Sequence, residues 1–117
     1  PANFTAGNGD KSNRSYSFSE KSAWLDAGQA VSVTMAAEDF RAVTGQNIPL
    51  TLFGTLVDFK ETTPGFAMTN SRETKNGQTK LLVTRPENLP VLRAGQVLFN
   101  LTFIPTESGR LGKALQF

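Results

Sequence analysis

The residues that could carry chemistry in this 117-residue chain are its carboxylates, because the sequence contains neither histidine nor cysteine. That absence excludes a thiolate nucleophile, a histidine-dependent catalytic triad, a disulfide and an ordinary zinc site. Glu38 and Asp39 form the one adjacent acidic pair. On a strand the two side chains would point to opposite faces, and in a turn they would be solvated. We therefore predict a structural role for this pair, and a protein that is not an enzyme and needs no cofactor.

Basic side chains concentrate in the second half of the chain. The first 58 residues carry four basic and six acidic side chains, whereas the remaining 59 carry eight basic and four acidic ones. One interpretation is a mixed, solvated surface. The other is a face that binds an anionic polymer such as a nucleic acid or polysaccharide, with Phe66 as the residue that would stack on a base. The candidate residues for this face are Arg72, Lys75, Lys80 and Arg85.

Three aromatic residues near the start of the sequence could contact a sugar ring or a base. Tyr16 and Phe18 alternate along a strand-like segment, which favours burial in the core. Trp24 lies beside a turn, where a side chain can be half exposed, so it is the candidate for an aromatic ligand contact.

The elements that must position these residues are short apolar stretches divided by turn residues. This pattern predicts an all-β fold, an immunoglobulin-like antiparallel β-sandwich of about seven strands. Residues 1–15 are small and polar and are expected to form a flexible arm, followed by a single sandwich domain over residues 16–117. Met35 to Val43 allows one or two helical turns, and residues 111–117 are expected to form a last strand.

Several turn residues predict how the strands are joined. Pro49 has no N–H to donate, so its strand is expected to start there or to lie at a sheet edge. Gly54 predicts a bulge or bend. The dipeptide Asn76-Gly77 predicts a hairpin with a type I′ turn, because both residues tolerate positive φ.

The longest predicted strand covers residues 96–104 and is apolar on both faces, which favours a central position or a surface that lines a partner. Its alternation places four large side chains on one face. These candidates for a partner groove are Val97, Phe99, Leu101 and Phe103.

Two sets of segments resemble bacterial surface proteins. Residues 92–103, LRAGQVLFNLTF, resemble the late strand of chaperone–usher fimbrial subunits, in which an Ala-Gly turn precedes a long alternating strand. Residues 31–35, 44–52 and 76–84 are similar to the strand and turn segments of invasin-type immunoglobulin-like domains. The resemblance implies an immunoglobulin-like module of a bacterial surface structure.

These observations predict a non-enzymatic adhesive or structural subunit that works by strand-edge pairing and burial of an apolar groove. Its partner would be another protein or a second copy of the chain, at the cell surface or outside the cell, although a cytoplasmic location stays open. One alternative is a small basic β-domain that binds an anionic polymer, and another is a structural protein of a virion or shell. The sequence has no run of 18 apolar residues, so no membrane span is expected.

Overall fold

A computed structural model describes residues 14–40, 46–74, 76–86 and 92–117, and its elements are mostly strands. The ten strands among these residues are β1 (Arg14–Ser17), β2 (Trp24–Leu25), β3 (Val31–Ala36), β4 (Asn47–Leu52), β5 (Gly54–Glu61), β6 (Ala67–Glu73), β7 (Thr79–Thr84), β8 (Val97–Pro105), β9 (Gly109–Arg110) and β10 (Leu115–Gln116). A 3₁₀ turn covers Ala37–Phe40, and a helix α1 covers Leu111–Ala114. The predicted all-β class is confirmed.

The first of two four-stranded sheets has the strand order β1-β3-β8-β5. β8 is central, as its apolar sequence predicts, and it pairs antiparallel with β3 and β5. β1 pairs parallel with β3, so the expectation of a wholly antiparallel fold is wrong at this edge. Arg14 and Ser15 pair with Val31 and Ser32. These two residues therefore belong to a strand and not to the predicted arm, whose residues 1–13 lie outside the described ranges.

The second sheet has the order β10-β4-β7-β6, and all its pairs are antiparallel. A separate two-stranded ribbon joins β2 to β9. Among the described residues, no helix is long and apolar enough to cross a membrane.

The core lies between the two sheets and follows the alternation of the sequence. In β3 the apolar residues Val31, Val33 and Met35 are buried, while the residues between them are half-buried. Burying every second side chain places one apolar face of each sheet toward the other. The buried apolar residues of both sheets form one cluster, whose largest members are Phe66, Phe99, Phe103, Met35, Ile48 and Leu101.

The chain crosses from the second sheet to the first at Gly54. A Cβ at this position would overlap the backbone carbonyl oxygen of Ile104, so only glycine allows β5 to approach β8 this closely. The predicted bend is therefore present. The bulge lies further along, where the β5–β8 register shifts between Leu56 and Asp58.

The predicted hairpin joins β6 to β7, but its turn differs from the expected type. Gly77 has a φ of +75°, whereas none of the described non-glycine residues, Asn76 included, has a positive φ. A type I′ turn needs positive φ at both central residues. The Thr74 N–H donates to the Gln78 carbonyl at 2.8 Å, which closes a three-residue loop with the glycine in its last position.

The last segment is only partly the strand that the sequence predicts. Leu111 and Ala114 are three residues apart and both buried, so a helical turn places them on the same inward face. Only Leu115–Gln116 then pairs as β10. The predicted helical turns after Met35 are represented by the 3₁₀ turn, and residues 41–45 lie outside the described ranges.

Candidate functional site

The predicted partner-groove residues of β8 lie largely in the core of this chain. Phe99, Leu101 and Phe103 are fully buried, and Val97 is half-buried at the start of the strand. β3 and β5 cover both edges of β8. Side chains that are already covered within one chain have no exposed surface for a partner, so a partner contact must be sought at other strands.

The predicted anion-binding residues are only partly brought together. Arg72 and Lys80 are exposed and directly opposite each other on β6 and β7. Arg85 follows the far end of β7, about 17 Å from Lys80 along an extended strand. Lys75 lies outside the described residues, and Phe66 is buried in the core, so the expectation that Phe66 stacks on a ligand is wrong.

Trp24 is half exposed, at 50% of its surface. It is paired with Arg110 in the β2–β9 ribbon, and the Arg110 guanidinium carbon lies 5.4 Å from the centre of the indole ring. The same guanidinium donates to the Ser22 carbonyl at 2.8 Å, which fixes it beside the indole. The indole is thus accessible, as the sequence predicts, but it is shared with a neighbouring cation.

The acidic pair forms backbone hydrogen bonds. Both Glu38 carboxylate oxygens accept from the Gly95 N–H, at 2.9 and 3.0 Å. Asp39 accepts from the Ala36 N–H at 2.8 Å. Within the described ranges, no group of three or more acidic side chains is placed to hold a metal ion. These contacts agree with the structural role predicted for the pair.

On one lateral side of the fold, the sheet edges at β1 and β4 are covered by other segments of the chain. On β1, Glu20 accepts from the Ser17 N–H through its carboxylate at 2.7 Å and donates its own N–H to the Ser17 carbonyl at 2.9 Å. Just after β4, the Phe53 N–H donates to the Ala114 carbonyl at 2.8 Å and so points away from β7. Because backbone direction alternates along a strand, every second residue before Phe53 also points its backbone groups away from β7. Pro49 is one of these residues. It lies beyond the two-residue β10 and has no N–H, so this edge lacks a donor there.

Among the described residues, the opposite lateral side is open, because β5 and β6 end the two sheets and no further described strand pairs with them. A groove of about 510 Å³ lies between them, and a hollow of about 360 Å³ adjoins it beside Ser71 and Glu73. We call the larger of the two the edge groove. It is lined by Leu56, Val57, Asp58, Phe59, Glu61, Ala67 and Met68.

Backbone groups of both strands along this side point away from their own sheets. The Thr62 N–H donates to the Leu98 carbonyl at 3.0 Å, and the Thr74 N–H donates to the Gln78 carbonyl at 2.8 Å. Because backbone direction alternates along a strand, counting back from these two bonds shows which residues of β5 and β6 face the neighbouring strand and which face away. By that alternation, Phe59 and Glu61 point away from β8, while Ser71 and Glu73 point away from β7. These groups are a template on which an added strand could pair.

The apolar part of the edge groove is partly exposed. Val57 is the bulged residue of β5 and has 54% of its surface exposed. Leu56 and Met68 pack against the core only in part, and so does Phe59, whose ring stacks on Phe99 with the centroids 4.9 Å apart. The groove therefore combines unpaired backbone with apolar side chains, the two features that strand addition uses.

Sequence reasoning missed the edge groove, because the residue pattern of β5 does not show that this strand ends its sheet. One signal was available: Leu56 and Val57 are adjacent apolar residues, so alternation cannot bury both on one face. Comparisons of the chain with protein-family models, with curated proteins and with solved structures give no match.

Proposed function

We propose that this chain is a non-enzymatic structural or adhesive subunit, an immunoglobulin-like β-sandwich that associates through its edge groove. An extended strand of a second protein molecule, in the simplest case another copy of the chain, would pair with β6 and cover the apolar residues of the groove. A surface or extracellular location suits such a subunit. The proposal rests on one observation: an open groove lies between β5 and β6, and the outer edge of each strand pairs with no other described strand.

Backbone pairing supplies affinity in this mechanism. Ser71 and Glu73 lie in the part of β6 beyond the register shift between Met68 and Asn70, where the strand pairs regularly with β7. An added strand would accept hydrogen bonds from these residues and donate to them, as a fifth strand of the second sheet. The bulges at the start of both edges restrict this pairing to the regular part.

Side chains supply specificity. A partner side chain seated between β5 and β6 would contact Leu56, Val57 and Met68 and remove their exposed surface from water. The side chains of Asp58, Lys60 and Glu61 on β5 are exposed. They disfavour a partner that places like charges opposite them.

Binding of an anionic polymer has less support, because only Arg72 and Lys80 are brought together among the predicted basic residues that the structure describes. A shell protein would use the same edge pairing but would form a closed oligomer of fixed size. The salt dependence of association and the size of the oligomer distinguish these two alternatives from the proposal.

The test is sedimentation velocity of the full chain over a range of concentrations, comparing wild type with Ser71→Pro. The proline removes an N–H that points away from β7, so the fold loses no ladder hydrogen bond while the edge loses a donor. We expect the wild type to associate with rising concentration, at both low and high salt, and the variant to stay monomeric. The control is Ser71→Thr, which keeps the N–H and should associate as the wild type does.

A second pair of variants tests the groove. Val57→Lys places a charge in the groove, and Trp24→Lys changes an apolar residue of similar exposure elsewhere on the chain. We expect only the first to abolish association, with both within about 1 kcal/mol of wild-type stability because both positions are half exposed. A wild type that stays monomeric, or oligomers unchanged by both Ser71→Pro and Val57→Lys, would contradict the proposal. Association lost steeply as salt rises would favour a charge-driven interaction instead.

A further inference from the structure

A second concave site lies at one end of the fold, away from the edge groove. It has a volume of about 530 Å³, within the range of about 300–1,000 Å³ typical of small-molecule pockets. Four segments meet there: the β4–β5 crossing, the β6–β7 turn, the β8–β9 connection and helix α1. We call this site the end pocket, and the residues that matter to its chemistry are Phe53, Asn76, Glu107, Lys113, Ala114 and Gln116.

The walls of the end pocket are joined to one another by hydrogen bonds. The backbone of Phe53 donates to Ala114 at 2.8 Å and accepts from Thr106 at 3.0 Å. The Thr106 hydroxyl donates to the Gly77 carbonyl at 3.1 Å, which attaches the β6–β7 turn to the β8–β9 connection. Ser108 accepts from the Ala27 N–H at 2.9 Å. The pocket is thus preformed, and a ligand would not have to order it.

The lining combines an apolar wall with polar groups of both kinds. Phe53 and Ala114 supply the apolar contact. Asn76 and Gln116 carry amides, each of which has donor and acceptor atoms. Glu107 adds an acceptor and Lys113 adds a donor. Neither charged side chain forms an ion pair with another described residue, and the charges of the two cancel, so the described lining residues carry no net charge.

This combination fits a sugar better than other small molecules. Sugar hydroxyls both donate and accept hydrogen bonds, which matches a lining with both kinds of group. The C–H face of a pyranose ring is apolar and packs against an aromatic side chain. An ionic ligand would leave either Glu107 or Lys113 facing a like charge, which costs binding energy. The Gln116 amide nitrogen donates to the Lys113 carbonyl at 3.2 Å. A purely apolar ligand would displace water from the remaining polar atoms of the lining without replacing its hydrogen bonds.

We propose that the end pocket binds an uncharged saccharide of one or two rings. The inference does not depend on the edge groove, since the two sites share no lining residue. If the chain is an adhesive subunit, the end pocket gives the chemical class of a receptor that the subunit would hold, while the groove holds its protein partner.

The test is saturation-transfer NMR of the full chain with a panel of neutral sugars: glucose, galactose, mannose, N-acetylglucosamine, lactose and maltose. Glycine and acetate serve as zwitterionic and anionic probes. We expect transfer to at least one sugar, with the shifts in the amide spectrum confined to the end pocket. Transfer to none of the sugars would overturn the proposal, and so would preferential binding of glycine or acetate.

A blocking variant ties the binding to this pocket. Gly109 lines the pocket without a positive φ, and a Cβ there would meet no atom within 4 Å. Gly109→Leu would therefore place an apolar side chain at the pocket, and we expect affinity to fall about tenfold or more. Arg93→Met, an exposed change in the segment before β8, should leave affinity unchanged. Equal binding by wild type and Gly109→Leu would overturn the assignment, as long as thermal unfolding shows that the variant is folded.

Because a leucine at this position could disturb the β2–β9 ribbon, a second variant keeps the test decisive. Glu107→Gln alters only an exposed side chain that lines the pocket. Loss of one charge-assisted acceptor should weaken binding about threefold to tenfold. An unchanged affinity in this variant together with unchanged affinity in Gly109→Leu would place the sugar elsewhere and overturn the proposal.

Discussion

Along one side of the fold, β1 and β4 are covered by nearby segments, whereas along the other side β5 and β6 face an open groove. On the covered side, β1 is capped by a residue close in sequence, and β4 pairs with β10 from the end of the sequence. Glu20 satisfies both outward backbone groups of Ser17, and Pro49 removes an outward donor from β4. Phe18 is buried behind this edge and meets Phe117 edge to face, with the ring centroids 5.5 Å apart.

The open side uses irregularity and charge instead of cover. Register shifts interrupt β5 between Leu56 and Asp58 and interrupt β6 between Met68 and Asn70. The rest of β5 carries charged side chains of alternating sign. Bulges and charges discourage indiscriminate pairing but leave the backbone groups beyond them accessible. Under the proposed function, the covered edge would be closed to partners and the open edge would be selective.

The largest expected contrast between the two sides is in the cost of removing an aromatic ring. Phe18→Ala removes a ring with 2% of its surface exposed, and we expect it to lower the free energy of unfolding by about 3–5 kcal/mol. Phe59→Ala removes a half-buried ring that stacks on Phe99, and about 2 kcal/mol is expected. Urea unfolding of both variants measures the difference. An equal or larger loss at Phe59 would contradict the contrast.

Much of the fold is predictable from alternation. The inward residues of β3 and β4 are the ones that period-2 alternation assigns, and the central position of β8 follows from its two apolar faces. Local alternation carries no information on which strands pair. The parallel pairing of β1 with β3 and the passage from one sheet to the other at Gly54 depend on long-range packing.

The sites were harder to predict than the fold. The turn beside Trp24 predicted that its side chain is accessible, and the alternation of β8 predicted that its apolar side chains matter. Yet a fully apolar strand is as suited to a core as to an interface, so the sequence could not distinguish these roles for Phe99 or Phe103. The end pocket is formed by residues far apart in the chain, such as Phe53 with Gln116. No spacing rule in one sequence brings such residues together.

A smaller effect is expected from the cap on the covered edge. Glu20→Ala removes the carboxylate that accepts from the Ser17 N–H, and we expect stability to fall by about 1 kcal/mol because the bond is charge-assisted but exposed. The sharper measurement is hydrogen exchange at the Ser17 amide, which should be protected in the wild type and become fast in the variant.

The matched variant for this cap is Glu20→Gln, which keeps an acceptor oxygen without the charge. Protection of Ser17 should be intermediate in this variant, whereas exchange at the Ser71 amide on the open edge should be unchanged in both. Fast exchange of Ser17 in the wild type would contradict the claim that Glu20 covers this edge.

The smallest expected effect concerns Lys21, whose ammonium lies 2.9 Å from the centre of the Phe18 ring on the covered side. Burial lowers the pKa of Lys21 below its ordinary value, and the Asp39 carboxylate partly opposes this. Between the lowered and the ordinary pKa, the unfolded chain binds more protons than the folded chain. Stability therefore rises with pH across that interval, at the alkaline end of the range.

The measurement is the free energy of unfolding of wild type and Lys21→Met between about pH 8 and pH 10.5. The difference between the two should shift in favour of the wild type as pH rises, by a fraction of a kcal/mol because the group is largely exposed. Asp39→Asn keeps an acceptor for the Ala36 N–H but removes the opposing charge, so it should lower the pKa of Lys21 further in an NMR titration. A difference that moves toward Lys21→Met with rising pH would mean that the Phe18 ring and Asp39 stabilise the ammonium more than burial destabilises it.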